Sequence, residues 1–182
     1  MSNWTNKESK LLFIFDLDDT LIPQHGMFLF NESKYILNVL YPKVNMCIAS
    51  FNDDTLYYLD KNKVSNYFEC IEGYYKNTKH QHITNILKQY PNIPYENIYF
   101  FDDSKENIEY ISKEFNIHSC KVNSTTGLTF YDIIDILLNT KEKLSKHHQD
   151  DIQSIITDLF INETTRNIKV ENINKVEIIP QS

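Results

Sequence analysis

Three aspartates, Asp16, Asp18 and Asp19, follow directly on the apolar run LLFIF at residues 11–15. In an extended chain, residues two apart project to the same side, so Asp16 and Asp18 converge. Two carboxylates about 4 Å apart repel by about 4 kcal/mol at an effective dielectric of 20. Such a pair is stable only with a cation, a proton or both. A second acidic pair, Asp102 and Asp103, follows a second apolar run, IYFF at 98–101. Two runs that end in acids suggest one shared set of oxygen ligands, and hard ligands of this kind favour Mg²⁺. Asp103 has a plainer alternative reading, as the cap of the next helix through Asp103-x-x-Glu106. Ser50 ends the run MCIAS (46–50). Its hydroxyl either donates to a phosphoryl oxygen or caps the helix expected from residue 53. Lys79 opens a helical pattern, where its charge opposes the helix dipole, and that placement points to an anionic partner. A solvated surface lysine is the plainer reading, and Lys76 competes for the same role.

The elements that must position these residues follow from periodicity. Short apolar runs at 11–15, 46–50 and 98–101 read as buried strands, with weaker candidates at 118–122 and 69–72. Apolar residues at helical spacing fall in 32–41, 53–62, 79–90, 104–115 and 128–138. Strand and helix alternate, which indicates an α/β fold with a central, mostly parallel sheet flanked by helices. Ligands bind such sheets at the carboxyl ends of the strands, where the acids fall. We place one domain over residues 1–140 and an extension over 141–182. In the extension, Ile152, Ile155, Ile156, Leu159 and Phe160 form an amphipathic helix. Its apolar stripe either docks on the domain or binds a partner, a second copy of the chain included. Ile168/Val170 and Val176/Ile178 alternate and suggest a small hairpin. His147, His148, Asp150 and Asp151 read as a solvated helix start rather than a second metal site.

Composition narrows the function. The chain has 182 residues, a net charge of −7 and 41% hydrophobic residues. That is enough apolar material for one real core. The negative balance leaves no surplus charge for phosphates of duplex nucleic acid. No apolar run is long enough to span a membrane, and the first residues lack the apolar segment of a secretion signal. Cys47, Cys70 and Cys120 are scattered and odd in number, which fits reduced thiols and a cytoplasmic setting.

The order Asp-x-Asp-x-Thr, Ser, Lys, Asp-Asp resembles the haloacid dehalogenase superfamily. More closely, it is similar to that superfamily's magnesium-dependent acid phosphatase family. The matching segments are FDLDDTLIP (15–23), ASFN (49–52), YYKNTKHQHI (74–83) and IYFFDDSKENIEYISKEFNI (98–117). Lys79-x-x-His82 fits the family's lysine segment and favours Lys79 over Lys76. The resemblance runs from residue 10 to about 138. It implies a Rossmann-like fold and a phosphomonoester phosphatase working through an aspartyl-phosphate. Asp16 would be the nucleophile. Asp18 would be the general acid and then the base, which requires burial and acidic neighbours to raise its pKa. Thr20, Ser50 and Lys79 would hold the phosphoryl oxygens. Asp16, the Asp18 backbone carbonyl and the Asp102/Asp103 pair would place Mg²⁺, with the direct ligand of that pair left open.

Two positions depart from the family pattern. Phe51 stands where the family often has arginine, and Asp19 where it can carry an aromatic. The intervals between the first and second motifs and between the second and the lysine, 34 and 29 residues, leave no room for a large cap domain. Residues 23–31 would form only a short flap, with Met27, Phe28 and Phe30 near the entrance. An open site suits a protruding phosphate on tyrosine, a peptide or a nucleotide, and small sugar phosphates also fit. A receiver-type phosphoacceptor places its lysine after the acids, which this chain does not. A binding or scaffold protein that uses the extension is the alternative reading.

Overall fold

Among the described residues, the three short apolar runs and the two weaker candidates form five parallel strands. They are β1 (Leu12–Phe15), β2 (Asn45–Ser50), β3 (Cys70–Gly73), β4 (Ile98–Asp102) and β5 (His118–Lys121), in the order β3-β2-β1-β4-β5. The computed structural model describes residues 10–74, 76–142 and 144–176, with side chains as far as residue 167. Every residue of β1, β2 and β4 is buried, because helices cover both faces of the sheet. Alternate residues serve opposite faces. Phe13, Phe15, Met46, Ile48, Tyr99 and Phe101 join one core, and Leu12, Ile14, Cys47, Ala49, Ile98 and Phe100 the other. Burying each large apolar side chain contributes roughly 1.5–3 kcal/mol. A one-residue slip would exchange the two faces, so the register is strongly fixed.

The chain steps outward from β1 to β2 to β3, then returns to lay β4 on the other flank of β1. The direction of winding therefore reverses between β1 and β4, the place where open α/β sheets bind ligands. Asp16 follows the first of these strands and Asp102 ends the second.

Among the described residues, six α-helices connect and cover the strands: α1 (Asn31–Leu40), α2 (Thr55–Lys61), α3 (Lys79–Gln89), α4 (Lys105–Phe115), α5 (Phe130–Lys141) and α6 (Lys146–Val176). Helices α3 and α5 start with reciprocal capping boxes, Thr78 with Gln81 and Thr129 with Asp132. Helix α4 is capped by Ser104, which accepts from the Asn107 N–H, so Asp103 is not its cap. It ends at Asn116 in the left-handed conformation with φ 52°, one that asparagine tolerates.

Helix α6 corrects the hairpin expectation. Residues 168–176 continue one helix, and Ile178 lies outside the described residues. A helix already started extends at little cost, whereas two short strands with no sheet beside them are marginal. Ile152, Ile155, Ile156 and Leu159 are buried in the same core as Phe13 and Phe15, while Phe160, at the margin of the stripe, is exposed. Lys43 pairs with Asp158 at 2.9 Å and Arg166 with Glu32 at 3.2 Å along the same helix. The extension thus completes one core with the rest of the chain. No helix among the described residues is long and apolar enough to cross a membrane.

Candidate active site

The register of β1 on β4 builds the site. Phe15 pairs with Phe101, and the Asp16 N–H donates to the Phe101 carbonyl at 2.9 Å, so Asp16 stands beside Asp102. The chain then turns sharply. The Leu17 carbonyl accepts from the N–H groups of Thr20, Leu21 and Ile22 at 3.3, 2.8 and 3.0 Å. Asp19 adopts φ 55°, and its carboxylate accepts from the Gln24 N–H at 2.7 Å. The third aspartate is therefore the turn former. Thr20 is fully buried beneath the turn. Its carbonyl accepts from the Leu128 N–H at 2.8 Å, and its hydroxyl has no partner among the described residues.

Lys79 is the first residue of α3, placed there by the Thr78–Gln81 capping box. Its ammonium lies 2.8 Å from Asp16 Oδ1, 3.1 Å from Asp102 Oδ2 and 2.6 Å from the Ala49 carbonyl. Burial works to lower its pKa, but Asp16 and Asp102 outweigh burial and the pKa is raised. The unfavourable position at a helix N-terminus is thus answered by two carboxylates. Lys76 stays exposed.

Asp102 is fully buried. Its Oδ1 accepts from the Ser104 N–H at 2.8 Å, and the Asn107 amide reaches both oxygens at 3.1 and 3.0 Å. Asp16 has a different environment. Burial, with the Asp102 charge adding to it, pushes Asp16 up to about 7 against the pull of Lys79. Asp18 turns toward Asn52, whose amide donates to both carboxylate oxygens at 3.2 and 3.1 Å. Burial raises the Asp18 pKa, Asp19 adds to it, and the Asn52 hydrogen bonds work against it. Ser50 is buried, and its Oγ accepts from the Asn52 N–H at 3.1 Å, so it does not cap α2. Asn52 and Asn107 are the functional residues that sequence reasoning missed. Both lie inside recognised segments, but an amide in a loop or first helical turn carries no signal of its own.

Asp16, Asp102 and Asp103 each offer an oxygen, all within 4.8 Å of one another. The pKa of Asp103 is raised by burial first, then by Asp102 and Asp19. Several carboxylates converge on one ammonium, and a hard divalent cation suits that excess of negative charge. The donor set therefore fits Mg²⁺. The Asp18 carboxylate is outside this trio, so any part it takes in holding a cation falls to its backbone carbonyl. Among the described residues no second cluster of this kind occurs, and His148 instead meets Ser145 Oγ at 3.0 Å.

The flap divides into two parts. Met27 and Phe28 are exposed beside α2, with Lys61 Nζ 5.7 Å from the Phe28 ring and the Asn62 amide donating to the Met27 carbonyl at 3.0 Å. Phe30 instead packs on Gly127, where φ is 67° and any Cβ would collide with the Phe30 ring. His82 is buried, with Nε2 at 3.1 Å from the Tyr74 carbonyl, and burial lowers its pKa. Its ring supports Phe51 at 5.6 Å between centroids, which gives the Lys79-x-x-His82 spacing a packing role.

A family model described as acid phosphatase matches residues 48–143, just over half of the chain. The chain belongs to the acid phosphatase family. The matched stretch carries Ser50, Lys79, Asp102 and Asp103. Asp16, Asp18 and Thr20 lie before it and reach the same place through the pairing of β1 with β4. The chain is thus a phosphatase with a haloacid dehalogenase-like fold. Among solved structures it is similar to the core domain of a candidate phosphoglycolate phosphatase from Streptococcus pneumoniae. That match has a TM-score of 0.47 and 21% identity, and covers 62% of this chain and 80% of the other. No functionally curated protein matches the chain.

Proposed function

We propose that this phosphatase hydrolyses phosphomonoesters with Mg²⁺, carrying the phosphoryl group on Asp16. The observation that carries the reading is Lys79 clamped between Asp16 and Asp102 with Asp103 alongside. Asp16 Oδ attacks phosphorus and the ester P–O bond breaks, while Asp18 gives its proton to the leaving oxygen. Water then attacks the aspartyl-phosphate, Asp18 takes its proton, and inorganic phosphate leaves. Splitting the reaction in two lowers each barrier. Lys79 exchanges an acceptor for a phosphoryl oxygen and balances the charge that develops there. Ser50 and Thr20, whose hydroxyl has no partner among the described residues, would be the remaining donors to the phosphoryl oxygens.

Asp16, Asp103 and the Asp18 carbonyl would hold Mg²⁺, which when bound supplies positive charge to the phosphoryl oxygens. Asp102 is the less suited of the acidic pair. Ser104, Asn107 and Lys79 already engage its oxygens, so its role is to orient Lys79. Between residues 23 and 30 only a short flap borders the site, which suits a phosphate that protrudes from its carrier. The test is release of phosphate from para-nitrophenyl phosphate by the full chain. We expect turnover with Mg²⁺ and none with EDTA or in Asp16→Asn. Turnover that persists in either case overturns the reading.

A further inference from the structure

Next to Lys79 the surface opens into a cleft of about 520 Å³ between the first turns of α3 and α4. Phe51, His80 and Tyr110 form its walls, and Glu106 lies at its rim. Phe51 and Tyr110 are 42% and 50% exposed, so each presents part of its ring to water. The Phe51 ring centroid is 4.7 Å from Lys79 Nζ, which places the aromatic wall directly beside the phosphoryl site. The Tyr110 hydroxyl lies 3.4 Å from His80 Nδ1, which orients the opposite wall.

Three polar side chains of this cleft are committed to other partners, and Asn77 also lines it. The Thr78 hydroxyl accepts from Gln81 within the capping box, the Asn107 amide donates to Asp102, and Lys79 already serves three acceptors. Few groups remain to bind the hydroxyls of a sugar. Glu106, held by the Ser104 hydroxyl at 3.0 Å, adds negative charge. Phe51 carries no charge that would welcome a second anion.

Resting on the reading of the site as a phosphomonoesterase, we infer that this cleft receives the leaving group and selects a flat aromatic ring without negative charge. The ring is bonded through oxygen directly to phosphorus and sits between Phe51 and Tyr110. Apolar clefts with few free polar groups bind flat rings well, and ring faces add to that preference. A ribose between phosphorus and ring would carry the ring past Phe51.

The test compares kcat/KM for 1-naphthyl phosphate, glucose 6-phosphate and thymidine 5′-monophosphate with Mg²⁺. We expect the naphthyl-to-glucose ratio to fall at least fivefold in Phe51→Ala and Tyr110→Ala, chiefly through KM. Phe51→Tyr should restore the ratio, and Tyr131→Ala on α5 should leave it alone. Tyr110→Ala decides if Phe51→Ala disturbs Lys79. An unchanged ratio in Tyr110→Ala overturns the inference and leaves the phosphatase reading standing. A larger effect of both variants on the nucleotide than on the naphthyl ester also overturns it. Failure of the wild type to hydrolyse any of the three overturns the phosphatase reading itself. Glu106→Gln should raise relative turnover of 4-carboxyphenyl phosphate, and no change there removes the selection against anions.

Discussion

The two acidic strand ends have the same composition and opposite wiring. At the end of β4, Asp102 is buried and accepts from the Ser104 N–H, the Asn107 amide and Lys79. At the end of β1, Asp16 is almost as buried but has one side-chain donor, Lys79, and its carboxyl is pushed up to about 7. A carboxylate surrounded by donors is stabilised as a fixed charge and is a poor nucleophile. One that shares a single lysine keeps an oxygen available to attack. The difference lies in the donors around each acid, not in the acid, and Asn107 is the residue that sets it.

The strongest way to break this contrast is Asp16→Asn, which should lower kcat by roughly 10⁴-fold or more while the fold survives. Circular dichroism and phosphate release measure the two halves of that statement. Lys79→Met comes next. It leaves Asp16 and Asp102 facing each other without their cation and should cost about 3–5 kcal/mol of stability as well as turnover. Urea unfolding reads the first, and a wild-type midpoint would show that the lysine does not hold the pair.

The pH dependence of the metal-free chain sharpens the comparison. The folded pKa of Asp16, about 7, lies above the ordinary 3.8, so the folded state binds more protons between these values. Its contribution to stability is therefore lost as pH rises from about 4 to about 7. Asp16→Asn should flatten that slope relative to wild type, a difference in which the opposite titration of His82 cancels. Equal slopes would mean that Asp16 titrates as it does in the unfolded chain. The smallest effect belongs to Asn52→Ala. Its amide favours the charged form of Asp18, so its loss should move the alkaline limb of kcat/KM to higher pH, with a few-fold change at most in the maximum.

What was legible in the sequence was the local pattern. An apolar run ending in acids marks a buried strand and its ligand end, which is the signal for Asp16 and Asp102, whereas Lys79 is marked by a charge at odds with the start of a helix. Contacts that depend on tertiary placement were not legible. The amides of Asn52 and Asn107 gain meaning only once β2 and α4 are set beside the acids. The cap of α4 shows how close the alternatives were. Asp103-x-x-Glu106 and Ser104-x-x-Asn107 are offset by a single residue, and capping by Ser104 frees Asp103 to face the cluster. The C-terminal alternation failed as a strand signal because two residues of period-two pattern are too few to outweigh an established helix.

Helix α6 has a practical consequence. Arg166 reaches Glu32 in the first turn of α1, and Glu32 also accepts from the Phe130 N–H in the first turn of α5. Both helices begin on the side of the sheet where the acids lie. Ten more helical residues follow Arg166, and at 1.5 Å each they carry the chain roughly 15 Å farther. A reporter or affinity handle joined directly after Val176 would consequently start on the side from which bulky substrates approach, and assays on phosphorylated polypeptides are best run without one.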